Sequence, residues 1–205
     1  MILYRPVGME ELRLIYRSGL KAFPPRLPEQ PIFYPVLDLC YAGQIVRDWN
    51  TKSRSFAGYV TRFEVDDFCV ARSERHVVGG REHEELWVLA EQLGEFNKNI
   101  VGRIPVIGAH FGPRFRGRVP DRCLLEGRSA VARFVLLTAL PREDGTRFRT
   151  AIFSSHEPVF LHYPFSKQGS FLDTGVPDYE QYRTLSAIEG VWSEAFPSSP
   201  LTIPE

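Results

Sequence analysis

Apolar and polar positions in the first 110 residues change period several times, and each change predicts an element. MILYRPV is an apolar run broken by one arginine, the pattern of a short strand. GMEELRLIYRSGL then places Leu12, Ile15 and Tyr16 at helical spacing, with Gly19 as the stop. DLCYAGQIVRDWN repeats the helical period through Leu39, Ala42, Ile45, Val46 and Trp49, and Asp38 is its candidate N-cap. GYVTRFEV alternates, with Tyr59, Thr61, Phe63 and Val65 on one side, as a half-buried strand does. A Gly-Gly turn at 79–80 leads to a strand from about Glu85 to Leu89, a short helix, and a last strand at 104–107.

The period is less clear after residue 110. AVARFVLLTAL (130–140) reads equally as strand or helix. FRTAIFSS and PVFLHYPF read as strands split by a turn around His156–Pro158. PDYEQYRTLSAIEGVWSEAF is an amphipathic helix whose apolar face runs through Tyr182, Leu185, Ile188, Trp192 and Phe196. The expected organisation is therefore an α+β unit over 1–110 and an α+β C-terminal extension over 111–205 packed on it. The soft boundary falls in the Gly-, Pro- and Arg-rich stretch 112–120.

One segment resists both periods. GLKAFPPRLPEQPIFYPVL (19–37) carries Pro24, Pro25, Pro28, Pro31 and Pro35, and proline bars both a helix and a central strand. A solvated linker is poor in aromatics, whereas this stretch holds Phe23, Phe33 and Tyr34. It reads as a rigid loop pinned by its rings.

Composition narrows the class. A 43% hydrophobic chain of 205 residues can build a core, and no apolar run approaches the ~18 residues of a membrane span. Cys40, Cys69 and Cys123 are odd in number and far apart, which fits a reducing cytoplasm rather than a disulfide framework or a zinc site. The start also lacks the shape of a signal peptide, so a cytoplasmic location is expected. The net charge of zero hides an imbalance: 111–149 has nine arginines against four acids, a net of +5, and 150–205 carries −5. These pieces are placed to pair with each other, and the basic one is a candidate contact for nucleic-acid phosphates.

No phosphate-binding loop, dinucleotide glycine fingerprint, nucleophile elbow or H-E-x-x-H motif is present. What remains is an ordered set: LYR on the first strand, the AFPPRLPEQPIFYPVL loop, RDWN, and a Gly-Gly turn before HEELWV. These blocks resemble a group of short bacterial proteins labelled ADP-ribosylation/crystallin J1, over about residues 1–108. Through that group the chain resembles the ADP-ribosyltransferase superfamily.

The resemblance implies a split, mixed β-sheet that grips NAD as substrate, without a metal. It implies that Arg5 on the first strand holds NAD and that Glu85, ahead of Leu86-Trp87-Val88, is catalytic. The superfamily's Ser-Thr-Ser element is absent. Tyr34 and Tyr41 therefore take the nicotinamide-lining role, with Thr61 a weaker candidate. His83 shares a strand face with Glu85 and joins the NAD-binding set. Arg5 is equally placed to pair with Glu10 or Glu11. Glu84 with Glu82 is the alternative catalytic register. The expected activity is NAD-dependent transfer of ADP-ribose to a protein, a nucleic acid or water. The alternative is a non-catalytic module that binds a nucleotide or protein in the same cleft.

Overall fold

The computed structural model describes residues 1–80, 83–119, 127–140 and 145–201. It divides into two compact units, Met1–Pro113 and Arg114–Leu201. The chain is α+β, with the strands in the first unit.

In the first unit, β1 (Ile2–Gly8) pairs antiparallel with β3 (Ala57–Val65), in register from Ile2 opposite Glu64 to Gly8 opposite Gly58. The other edge of β3 takes β6 (Ile100–Val101) and β7 (Val106–Phe111). Because β3 is central, residues 57–61 are buried on both faces, and the alternation visible in the sequence survives only from Thr61 onward. The last strand falls at Val106–Phe111 rather than 104–107.

A second sheet has the order β2 (Ile32–Phe33), β5 (Glu84–Leu89), β4 (Glu74–Val77). Strand β4 reads ERHV and is largely solvent-exposed, so no apolar pattern announced it. All strand pairings among the described residues are antiparallel, which corrects the expected mixed sheet.

The proline loop joins the two sheets. Val36 bridges Tyr4 on one side and Glu85 on the other. The Tyr4 N–H donates to Val36 O at 2.9 Å, the Val36 N–H returns a bond to Tyr4 O at 2.8 Å, and the Leu86 N–H donates to Pro35 O at 2.8 Å. Prolines withhold donors here but still offer carbonyls: Val36 bonds β1 of the first sheet, and its neighbours Pro35 and Leu37 bond β5 of the second. The expected pinning by aromatics is realised: Phe23 packs on Phe33 and Phe63 at 4.7 and 4.8 Å, and Phe33 on Phe96 at 5.6 Å.

Helix α1 (Met9–Arg17) buries Met9, Leu12, Ile15 and Tyr16, and ends where Gly19 takes φ +74°. In α2 (Leu39–Asp48) the Asp38 carboxylate accepts the Tyr41 N–H at 2.7 Å. Its buried face is Tyr41, Ala42, Gly43 and Val46, whereas Leu39 and Trp49 are exposed. A short α3 (Asp67–Val70) and α4 (Leu93–Lys98) complete the unit.

The second unit holds α5 (Ala130–Ala139), α6 (Thr146–Ser154), α7 (His156–Gln168) and α8 (Asp178–Ala195). Its described elements are all helical, so the two strands expected at 148–165 are corrected to helices. The break at His156–Pro158 is real, but Pro158 sits in the first turn of α7, where its missing N–H costs nothing. Residues 158–164 of α7 are all buried, so no helical period was visible. Helix α8 buries Ile188 and Trp192 as expected, but its first half buries Gln181 and Thr184 in place of Tyr182 and Leu185, and Tyr182 is 73% exposed. Arg149 of α6 and Glu194 of α8 pair at 2.7 Å, one instance of the expected attraction between the basic and acidic pieces.

Candidate functional site

A cleft of about 360 Å³ opens in the first unit, lined in part by Arg5, Glu11, Tyr34, Tyr41 and Glu85. Three separate segments converge on it: β1, the proline loop running into α2, and the start of β5. The Val36 bridges that join the sheets hold them in place.

Glu85 lies at the second position of β5, half-buried, opposite His76 in the ladder. The Tyr41 hydroxyl donates to its Oε1 at 2.8 Å. Burial first, then the bond and the negative charge of Glu85, push the Tyr41 hydroxyl up to about 12, so it stays a donor through the physiological range. His83 stacks on the Tyr41 ring at 4.1 Å with planes 14° apart. His83 in turn is held by the loop: its Nδ1 lies 3.3 Å from the Gly80 N–H and 3.2 Å from Val78 O. These contacts make a chain of support from the Gly-Gly turn through His83 and Tyr41 to one carboxylate oxygen.

Arg5 is 9% exposed and committed to internal partners. Its Nε donates to Glu11 Oε1 at 3.3 Å, Nη2 to Glu11 Oε2 at 3.4 Å, and Nη1 to the Tyr34 carbonyl at 3.0 Å. Its guanidinium also lies 5.0 Å from the Phe33 ring centre. Of the two pairings open in the sequence, the structure forms the one with Glu11. Arg5 therefore pins the proline loop, and two of its five N–H groups have no partner among the described residues. Arg26 approaches the same Glu11 Oε1 at 3.7 Å. Burial, and then repulsion from Arg5, lower its pKa. Two guanidiniums thus share one carboxylate; Arg5 and Glu11 line the cleft, and Arg26 is not among its lining residues.

The sequence candidates separate as follows. Arg5, Tyr34, Tyr41 and Glu85 come together around the cleft. His83 is not among its lining residues and stands behind Tyr41. Thr61 is fully buried and donates to Arg5 O at 2.9 Å, a bond between strands rather than a ligand contact. Glu84 gives its carbonyl to Leu37 N–H and is not among the lining residues, and Glu82 lies outside the described residues. Tyr34 packs edge-on to Trp87 at 5.7 Å.

Glu11, Trp49 and Asn50 also line the cleft. Pattern reading placed Trp49 on a buried helix face and gave Glu11 only as a partner for Arg5. Cys40 and Cys69 are free thiols, and Cys123 lies outside the described residues. Among the described residues no three His, Cys, Asp or Glu side chains gather closely enough to hold a metal ion, and no helix is long and apolar enough to cross a membrane.

No family model, curated protein or solved structure matches the chain.

Proposed function

We propose that this cleft binds NAD and cleaves its nicotinamide–ribose bond, transferring ADP-ribose to an acceptor or to water, on an ADP-ribosyltransferase-like first unit. The observation that carries the reading is the Glu85 carboxylate, held at 2.8 Å by Tyr41 at the edge of a cleft that also presents Arg5 and Tyr34. Nicotinamide leaves with the electron pair of the C–N bond, and the ribose becomes an oxocarbenium-like cation. A carboxylate fixed beside that carbon stabilises the charge without reorganising, which is the largest single contribution such a site offers. Afterwards it accepts the acceptor's proton or aligns the ribose hydroxyl. The guanidinium of Arg5 suits a diphosphate. The acceptor is a protein, a nucleic acid or water.

Glu85→Gln keeps shape and removes charge. It should leave NAD affinity nearly unchanged and lower turnover about 10²-fold or more, read as free nicotinamide and transferred label. Equal turnover in the variant would overturn the assignment of Glu85. Wild-type protein that binds NAD without consuming it would turn the reading to a non-catalytic binding module.

A further inference from the structure

The three tryptophans of this chain are used differently. Trp192 is buried against Phe196 at 4.5 Å and donates its Nε1–H to Ser199 O at 2.6 Å. Trp87 is stacked by His76 at 4.0 Å. Trp49 is 64% exposed and has neither a ring partner nor a side-chain hydrogen bond among the described residues, although it lines the cleft. Other large rings are exposed as well, Phe68 and Tyr182 among them, but Trp49 is exposed while lining the cleft beside Arg5 and Glu85, which places a flat π face where a ligand can stack.

The corner that carries Trp49 is built into the fold. The Trp49 N–H donates to Ile45 O at 3.0 Å, and its carbonyl accepts Lys52 N–H at 3.0 Å, so the backbone is held on both sides. The next residue, Asn50, presses onto the sheet where Gly8 pairs with Gly58. A Cβ at Gly58 would lie 2.5 Å from Asn50 Cβ and 2.8 Å from Val46 Cγ1, so only glycine lets the corner sit there.

Three features around the cleft suit one ligand. Glu85 connects through Val36 to Tyr4, at one end. Arg5, with the shared Glu11 and Arg26 cluster, comes next. Gly8, under the Trp49–Asn50 corner, is four residues on from Tyr4, about 13 Å at the rise of a strand. One cleft thus presents a carboxylate, a guanidinium and an open indole, groups suited to a ribosyl carbon, a diphosphate and a second ring.

We infer that Trp49 is the stacking platform for the adenine ring of the dinucleotide, an assignment that rests on the NAD reading of the cleft. Stacking on an indole needs only a flat π face.

The test titrates wild type, Trp49→Ala and Trp49→Phe with NAD, AMP and nicotinamide mononucleotide, by calorimetry and by tryptophan fluorescence. Trp49→Ala should weaken NAD and AMP about tenfold or more, the scale of one base–aromatic stack. It should leave nicotinamide mononucleotide unchanged. Trp49→Phe should recover much of the affinity while abolishing the ligand-induced quench. Unchanged NAD affinity in Trp49→Ala, with wild type binding NAD, would overturn the platform and spare the NAD reading. Equal weakening of AMP and nicotinamide mononucleotide would overturn the adenine assignment. If wild type binds AMP with a Trp49-dependent quench but not NAD, the platform stands and the NAD reading falls. If none of the three binds, both fall.

Discussion

His162 should make the helical unit acid-sensitive, and the size of the effect follows from its surroundings. Its side chain on α7 is 4% exposed, and neither ring nitrogen has a hydrogen-bond partner among the described residues. Arg133 of α5 lies nearby, and Tyr163 beside it is bonded to Glu189 of α8. Burial, reinforced by the Arg133 charge, pushes the His162 pKa down from 6.5 to about 3. The folded unit therefore keeps the ring neutral where the unfolded chain protonates it. Between about pH 6.5 and about 3 the unfolded state binds the extra proton, so stability falls as pH falls. At 1.36 kcal/mol per unit, lowering the pH to 5 costs about 2 kcal/mol, and the full window approaches about 5 kcal/mol. Urea unfolding followed by ellipticity at pH 7, 6 and 5 measures this, with His162→Leu as reference. The leucine variant removes two unsatisfied nitrogens, so it should match or exceed wild type at pH 7 and lose less on acidification. Carboxylates titrate in both proteins, so the difference between them isolates His162. Parallel losses in the two proteins would refute the reasoning.

Three further outcomes are expected. Tyr41→Phe removes the donor to Glu85 but keeps the ring stacked on His83. NAD turnover should fall about five- to tenfold, the scale of one hydrogen bond, with binding little changed, as a kcat against KM comparison reads. Gly58→Ala forces Cβ into Asn50 and Val46 and should cost about 1–3 kcal/mol in a thermal melt, with a parallel loss of ligand affinity as the Trp49 corner shifts. Gln181→Ala removes the donor to Ser166 O at 2.9 Å and Gly169 O at 2.7 Å at the end of α7. It should destabilise the helical unit by about 1–3 kcal/mol in urea.

Local pattern determined much of the first unit. The apolar run of β1, the spacing of Leu12, Ile15 and Tyr16 in α1, and the Asp38 cap of α2 are all set by neighbours within four residues, so they were legible in the sequence. Glu85 was singled out by the family resemblance, and the structure places it at the second position of β5, lining the cleft. Where local signal vanished, packing decided. Helix α7 is buried nearly all round and so carries no period, and its aromatic-rich run looked like strand until its neighbours covered every face. Strand β4 exists because β5 offers it a ladder edge, not because ERHV favours a strand. The site itself is tertiary. Tyr41 reaches Glu85 across 44 residues, and Val36 meets both sheets at once. Trp49 had the spacing of a core residue. Its exposure at the cleft is fixed by Asn50 seating on Gly58, a close approach between distant segments that no periodicity encodes.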